Sequence, residues 1–200
     1  MQNFSSYDSS KMNDITDITG SSKVAPPEEF REAMIWQILE TVCDPEVPVL
    51  SILDLGIVRN VRRLPYPTLS DKAGDAGLEI IITPTYTGCP AMDMISMNIK
   101  MALAEHGFKN VTITSVLSPA WTTDWMTEAG KEKLKAYGIA PPNVRQQVCN
   151  NELFAPNEAV QCPRCNSYHT QRISEFGSTA CKSLYQCDDC KEPFDYFKCH

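Results

Sequence analysis

The sequence contains no run of about 18 apolar residues, which is the length that a membrane-spanning helix requires. It begins with MQNFSSYDSSKMND, which has neither a basic start nor an apolar stretch, so we expect no secretory signal and a cytoplasmic location. An excess of positive charge is also missing, because 25 acidic residues outnumber 18 lysines and arginines and give a net charge of −7. A general nucleic-acid binder needs a basic face, so neither a nucleic acid nor a membrane is expected as a partner.

Cysteine, in contrast, is abundant and unevenly placed. Nine cysteines occur in the 200 residues, and six of them lie within the last 40. Because a cytoplasmic chain keeps its thiols reduced, this clustering favours metal ligation over a disulfide framework. The uneven distribution predicts two parts that are stabilised in different ways.

The order of apolar and chain-breaking residues predicts four segments. Residues 1–25 are rich in Ser, Asp, Asn and Thr and are expected to be a disordered tail. Residues 27–142 contain patterns for helix, strand, strand, helix, strand and helix, which predict a compact α/β or α+β domain. A polar linker covers residues 143–160, and residues 161–200 form a terminal module.

Two predictions inside the larger domain depend on periodicity. The stretch ILDLGIVRNVRRL, residues 52–64, is predicted to be a strand with Gly56 at a bend or bulge. The helix after Pro90 has an apolar stripe at helical spacing, formed by Met92, Ile95, Ile99 and Leu103. Three further methionines widen this surface and are expected to belong to the core rather than to a partner groove: Met94, Met97 and Met101.

The terminal module contains two C-x-x-C pairs separated by 21 residues: Cys162 with Cys165, and Cys187 with Cys190. Each pair supplies two thiolates to one face of a tetrahedral metal, and the intervening segment can form a hairpin that joins them. A module of this size cannot be held by packing alone, so the metal must contribute to its folding. The pattern favours a structural zinc in a closed site without catalysis, and iron or an iron–sulfur cluster is the alternative.

Three potential ligands of the same module remain outside the two pairs: Cys181, Cys199 and His200. Thiolate and imidazole are both good metal ligands, so the three could form a second metal or cluster site. The competing interpretation is a buried Cys181 and a mobile C-terminal tail.

The stretch TPTYTGCPAM places Cys89 where a predicted strand gives way to a helix. The helix dipole and the free N–H groups at a helix N-terminus are expected to lower the pKa of such a thiol. No histidine close in sequence could serve as its base, so a ligand or transfer thiol and an inert buried thiol are both open. Asp44 and Glu46 of the DPEVP stretch could act in acid–base chemistry, but roles in the turn are favoured on local grounds.

Several of these stretches together resemble a known family. VCDPEVPVLSILDLGIVRNV and TPTYTGCPAMDMI resemble the iron–sulfur assembly domain of SufT-type proteins and of a cytosolic iron–sulfur targeting factor. The later stretches resemble the PaaD (PaaJ) family of accessory subunits in phenylacetyl-CoA epoxidase systems: LSPAWTTDWMTEAGKEKLKAYGIAPP, CPRC and SEFGSTACKSLYQCDDCKEPFDYFKCH. The resemblance covers nearly everything after the N-terminal tail.

The resemblance implies an α/β (α+β) fold, with a small mixed-sheet assembly domain, helices packed on it and a C-terminal four-cysteine zinc ribbon. It implies a non-catalytic accessory factor that matures the epoxidase system's iron–sulfur component, its reductase, in aerobic phenylacetate degradation. Transfer of iron or a cluster is implied for Cys89, with Asp44 and Glu46 beside it, and structural zinc is implied for the two C-x-x-C pairs.

Two other functions stay open at this stage, together with the possibility of a homodimer. The first alternative is a structural, non-catalytic subunit of the multicomponent phenylacetyl-CoA oxygenase complex. The second is an enzyme in which Cys89 attacks a thioester, and this interpretation lacks a base for the thiol.

Overall fold

The computed structural model describes residues 28–64, 77–142 and 160–198. The predictions for the N-terminal tail, for nearly all of the 143–160 linker, and for Cys199 and His200 therefore lie outside the described residues. Within the described ranges, no helix is both long enough and apolar enough to cross a membrane.

A three-stranded mixed sheet forms the base of the N-terminal module, by which we mean the described residues between 28 and 138. The strands are β1 (Val58–Leu64), β2 (Gly77–Ile82) and β3 (Val111–Ser115), in the order β1-β2-β3. Strand β1 is antiparallel to β2, and β2 is parallel to β3. A parallel pair needs a crossover connection, and helix α2 (Ala91–Glu105) provides it.

Two further helices complete this module. Helix α1 (Glu28–Glu40) precedes the sheet and contacts α2. A short 3-10 helix (Thr123–Trp125) leads into α3 (Glu128–Tyr137), which ends at Gly138 in the left-handed conformation with φ of +92°. The predicted order of helix, strand, strand, helix, strand and helix is confirmed.

The core of the N-terminal module lies between β2 and the apolar stripes of the helices. Ile80, Ile81 and Ile82 of β2 are all buried, as their consecutive positions indicate for a central strand. The helices contribute fully buried side chains at helical spacing, among them Leu39 of α1 and Ile95, Ile99 and Leu103 of α2.

The three remaining methionines of α2 do not belong to this core, so that prediction was wrong. Met94, Met97 and Met101 are 50%, 58% and 56% exposed. They recur with the same period as the buried stripe. Periodicity shows that residues share one face of a helix, but it does not show whether that face is buried or exposed. They form an exposed apolar strip along α2, which we call the methionine face.

The predicted strand over residues 52–64 was also only partly correct, because β1 begins at Val58. The preceding residues form turns in which the Gly56 N–H donates to the Leu53 carbonyl at 3.0 Å. Gly56 has a φ of +66°, and a Cβ there would lie 2.2 Å from the carbonyl oxygen of Trp125. A side chain is therefore excluded from this position, and the glycine marks a tight turn rather than a bulge.

A second sheet of four strands forms the C-terminal module, by which we mean β4 together with residues 160–198. The strands are β4 (Ile139–Ala140), β5 (Thr170–Ser174), β6 (Lys182–Cys187) and β7 (Pro193–Phe197), in the order β4-β7-β6-β5. Strand β6 is antiparallel to β5 and β7, whereas β4 is parallel to β7. The fold is therefore α+β, as predicted, while the exact domain boundaries stay a prediction.

The two modules share one apolar core. Phe197 of β7 is buried in the same cluster as the core residues of the N-terminal module. Its ring meets that of Trp121 edge-on, with 6.3 Å between the centroids. The indole N–H of Trp121 donates to the carbonyl of Leu55 at 2.9 Å, which fixes the ring against Phe197.

Candidate functional site

The four cysteines of the two C-x-x-C pairs meet at one point of the C-terminal module. Their sulfur atoms all lie within 4.8 Å of one another. The Sγ atoms of Cys162 and Cys190 are 3.8 Å apart, and those of Cys165 and Cys187 are 3.5 Å apart. A tetrahedral zinc with Zn–S bonds of about 2.3 Å separates its sulfurs by roughly 3.8 Å. The four thiols therefore fit one zinc ion, which would tie the two turns together.

Each pair lies on a turn of the same type. Asn166 and Lys191, each directly after the second cysteine of a pair, have φ of +62° and +64°. This left-handed residue folds the chain back, so the N–H of Asn166 donates to the carbonyl of Cys162 at 2.9 Å. In the second turn, N–H groups of Cys190 and Asp189 lower the pKa of Cys187 to about 7, although burial opposes this. A thiolate is thus available for metal at neutral pH.

Cys89 lies in the loop between β2 and α2, as predicted, and its side chain is half-buried. Its N–H donates to the carbonyl of Tyr86 at 3.3 Å, and Gly88 before it has a φ of +82°. Pro90 is the N-cap residue of α2. The thiol is thus held at the start of the helix by a short hydrogen-bonded turn.

The pKa of Cys89 is raised, so the prediction of a lowered pKa was wrong in sign. Burial raises the pKa of this thiol most strongly, and the nearby carboxylates of Glu46 and Asp44 raise it further. The N–H of Ala91 and the hydroxyl of Tyr86 both lower it by donating to the sulfur, but they do not outweigh the other effects. The N–H of Ala91 at the helix N-terminus thus lowers the pKa of Cys89 as expected, but burial and the two carboxylates raise it by more.

The carboxylates of the DPE loop are close enough to act on the pKa of this thiol. Asp44 accepts hydrogen bonds on Oδ1 from the N–H groups of Glu46 and Val47, at 2.7 and 2.8 Å. Asp44 therefore holds the turn, which agrees with the structural role that its local pattern favours. The carboxylate of Glu46 contacts a residue of the C-terminal module: its Oε2 lies 3.6 Å from the Sγ of Cys181.

Two members of this neighbourhood were not expected beside Cys89: Tyr86 was not singled out in the sequence, and Cys181 was predicted for a second site with Cys199 and His200. Burial, a hydrogen bond to Cys89 and the charges of Cys89, Glu46 and Cys181 raise the pKa of Tyr86 to about 12. Tyr86 could have been noticed because it lies three residues before Cys89, whereas no local signal connects Cys181 with this loop. We call Cys89, Tyr86, Asp44, Glu46 and Cys181 the interface cluster. The predicted second site with Cys199 and His200 stays a prediction, since both lie outside the described residues.

Two family models match separate parts of the chain. A model described as an iron–sulfur cluster assembly protein matches residues 32–115, and one described as a PaaD zinc beta ribbon domain matches residues 146–198. The chain is 49% identical over 176 residues to an Escherichia coli protein provisionally named as a component of 1,2-phenylacetyl-CoA epoxidase. That alignment covers 88% of this chain and 96% of the relative. The chain belongs to the PaaD family.

Other similar proteins match the first part alone. A Porphyromonas gingivalis protein named Fe-S protein maturation auxiliary factor is 35% identical over 98 residues, which covers 48% of this chain and 84% of that protein. Among solved structures, a domain of unknown function from Bacillus anthracis is 26% identical and covers 53% of this chain and 92% of its own, with a TM-score of 0.44. The resemblance seen in the sequence to the PaaD family, with its assembly domain and zinc ribbon, is confirmed.

Proposed function

We propose that this protein is a non-catalytic accessory factor of a phenylacetyl-CoA epoxidase system in phenylacetate degradation. It carries iron or an iron–sulfur cluster on Cys89 and delivers this cargo to an iron–sulfur protein of that system, its reductase component. The observation that carries the proposal is the half-buried Cys89 thiol at the start of α2, which accepts a hydrogen bond from Tyr86 and lies within the electrostatic reach of Asp44 and Glu46. The names of the similar proteins support the same assignment, because they describe an epoxidase component and maturation factors.

The surroundings of Cys89 suit a ligand better than a nucleophile. A catalytic thiol needs a lowered pKa or an adjacent base, and Cys89 has a raised pKa. The two histidines within the described residues are engaged elsewhere. His106 caps the C-terminal end of α2, and its Nδ1 lies 2.9 Å from the Ala102 carbonyl, while His169 pairs with Asp189 at 3.2 Å. A thiol that keeps its proton until a cation arrives can bind and release metal reversibly.

The C-terminal module supports this role by binding zinc and docking the client. Its four thiols would fill all coordination positions of a zinc ion, so the metal has no position left for substrate. The module also packs against the N-terminal core through Phe197, close to the interface cluster. A client bound to this module would therefore lie near the cargo.

The proposal is tested in a host that lacks its own family member and expresses the epoxidase components. Cys89→Ala is expected to leave the purified reductase depleted of iron and of cluster absorption, and to slow growth on phenylacetate. Cys43→Ala removes an exposed thiol and serves as the matched control, which should behave as wild type. Full cluster occupancy in the reductase with Cys89→Ala would disprove the transfer role.

A structural subunit is the second candidate, and the exposed methionine face of α2 favours it. An exposed apolar strip of this kind is typical of a contact with another protein. In this case the protein would co-purify stoichiometrically with the catalytic subunits, and the complex would fall apart without it. Cys89→Ala would then leave both the complex and its cluster content unchanged.

A further inference from the structure

The methionine face has the residue spacing of a coiled-coil seam. Met94, Met97 and Met101 are at least half exposed, and Ala104, which continues the series, is exposed as well. The four positions follow one another at intervals of three, four and three residues, which keeps them in one narrow strip along α2. Such a strip fits a second helix, because the side chains of each helix fill the gaps between those of the other.

Two exposed charges of opposite sign lie beside this strip. Asp93 and Lys100 are seven residues apart, so they lie on the same side of α2, about two turns from each other. Neither forms a salt bridge or a side-chain hydrogen bond within residues 28–64, 77–142 and 160–198. The positions three and four residues before and after each of them also hold no opposite charge, so the helix itself pairs neither. An apolar strip flanked by one free anion and one free cation indicates a partner with the same pattern.

We propose that the methionine face binds the methionine face of a second copy of this chain, with the two α2 helices antiparallel and a two-fold axis passing at Met97. Met97 then packs against Met97 of the partner subunit, and Met94 packs beside Met101 of the partner subunit. Asp93 lies beside Lys100 of the partner subunit, and the symmetry forms this ion pair twice. The face is thus complementary to itself in shape and in charge, as a symmetric dimer requires.

The charges also determine the orientation of the two helices. A parallel pair would place Lys100 beside Glu105 of the partner subunit and would leave Asp93 without a cation, whereas the antiparallel pair satisfies both Asp93 and Lys100. The antiparallel pair also places the helix dipoles in opposite directions. One helix from each copy buries less than the roughly 1,200 Å² of a stable interface, so we expect a dimer that dissociates in the micromolar range.

The dimer keeps the two Cys89 thiols apart. Cys89 precedes Met97 by eight residues, and at a rise of 1.5 Å per residue it lies about 12 Å along the helix from the two-fold axis. The two thiols are therefore at opposite ends of the helix pair, and each loop works independently of the other. A second copy on the methionine face would also remove the observation that favours a structural subunit of the oxygenase, because the face would already be covered.

Charge reversal tests this arrangement in the full-length, reduced and zinc-loaded protein. Sedimentation velocity at low ionic strength measures the equilibrium between monomer and dimer. Asp93→Lys and Lys100→Asp should each weaken dimerisation at least about tenfold, because each variant brings like charges together twice. An equimolar mixture of the two variants should dimerise again, since both ion pairs of the mixed dimer have opposite signs. This recovery would also show that both variants are folded.

Met97→Glu provides an independent measurement at the two-fold axis. It should be monomeric, because two carboxylates would face each other there. Ile173→Glu changes an apolar residue of β5 that is 53% exposed, and it should dimerise as wild type does. Cys89→Ala should also dimerise, since the contact does not involve the thiol.

Three results would overturn the inference. Wild-type protein that stays monomeric at millimolar concentration would mean that the face serves another protein or another segment of the chain. Unchanged dimerisation of Asp93→Lys would exclude the antiparallel arrangement, and so would a mixture of the two charge variants that stays monomeric. None of these results bears on cargo transfer, which the cluster content of the reductase with Cys89→Ala decides separately.

Discussion

The Sγ of Cys181 lies 3.6 Å from Oε2 of Glu46, although 135 positions separate the two residues in the sequence. This contact crosses from the C-terminal module to the loop after α1, and the edge-on contact of Trp121 with Phe197 crosses the same boundary. Both contacts are buried in or beside one apolar cluster. We therefore expect the two modules to unfold together rather than as independent domains.

Loss of the Phe197 ring should destabilise both modules at once. Its side chain is 2% exposed, so Phe197→Ala leaves a large cavity in the shared core. We expect the free energy of unfolding to fall by about 3–5 kcal/mol, in a single urea transition with zinc present. Tyr168→Ala is the matched control, because this ring is 58% exposed and its loss should change stability by less than about 0.5 kcal/mol. Two separate transitions in wild type would contradict the shared core.

Removal of one zinc ligand should open the zinc-binding end of the C-terminal module, while Phe197 of β7 stays in the shared core. Cys187→Ser takes away a thiolate whose pKa is already about 7, and three thiols hold zinc much less tightly than four. We expect the protein to lose one equivalent of zinc, and β5 and β6 to lose their protection against hydrogen exchange. Strand β7 should keep its protection, because Phe197 is buried in the shared core. Cys43→Ser should retain its zinc, because Cys43 lies outside the four-cysteine cluster. Retained protection of β5 and β6 in metal-free Cys187→Ser would show that packing alone holds this module.

Asp54 should contribute stability that depends on pH. Its carboxylate accepts hydrogen bonds from Lys133 at 2.6 Å and from the Ser51 N–H at 3.0 Å. Burial alone would raise the pKa of Asp54, but these hydrogen bonds outweigh it and hold the pKa below the ordinary value of 3.8. The stabilisation is therefore complete above the unfolded pKa and is lost as the pH falls through the lower folded pKa.

Asp54→Asn should therefore lower the free energy of unfolding at neutral pH by about 1–3 kcal/mol. The difference from wild type should shrink as the pH falls below about 4, where the wild-type carboxyl also becomes neutral. Urea denaturation at several pH values measures this. Glu128→Gln is the control, on the helix α3 that also carries Lys133. It removes an exposed carboxylate that pairs with Lys131, and it should lower the free energy of unfolding by less than about 0.5 kcal/mol. If the difference in unfolding free energy between wild type and Asp54→Asn did not change with pH, the ionised carboxylate of Asp54 would not be the source of the stabilisation.

Much of this architecture could be predicted from the sequence because it depends on local signals. The order of helices and strands follows from apolar periodicity, and the left-handed cap at Gly138 follows from glycine's freedom at helix ends. The four zinc ligands were predicted from the spacing of the C-x-x-C pairs, since each turn brings its own two thiols together.

The parts that escaped prediction depend on distant residues. Strand β4 is two residues long and joins a sheet whose other strands begin 30 positions later, at Thr170. The methionine face has the same period as a core face, so sequence cannot say which of the two is covered. The sign of the Cys89 pKa shift depends on Glu46 and on burial, neither of which is visible in the TGCP turn itself.

The reactivity of Cys89 towards iodoacetamide should report these neighbours directly. A negative charge near a thiol disfavours the thiolate, so Glu46→Gln should lower the pKa of Cys89 and speed its alkylation at neutral pH. Tyr86→Phe should act in the opposite direction, because the Tyr86 hydroxyl donates to the sulfur and lowers its pKa. The rate at Cys89 is measured by peptide mass spectrometry across the pH range in metal-free buffer.

The two variants act in opposite directions, which separates electrostatics from a general loosening of the loop. A loosened loop would expose the thiol and speed alkylation in both variants, whereas the two electrostatic effects have opposite signs. Glu175→Gln removes a carboxylate that pairs with Arg172 in the C-terminal module and should leave the rate at Cys89 unchanged. Faster alkylation in Tyr86→Phe would therefore mean that Tyr86 shields Cys89 sterically, and the hydrogen bond would not be what sets the thiol's pKa.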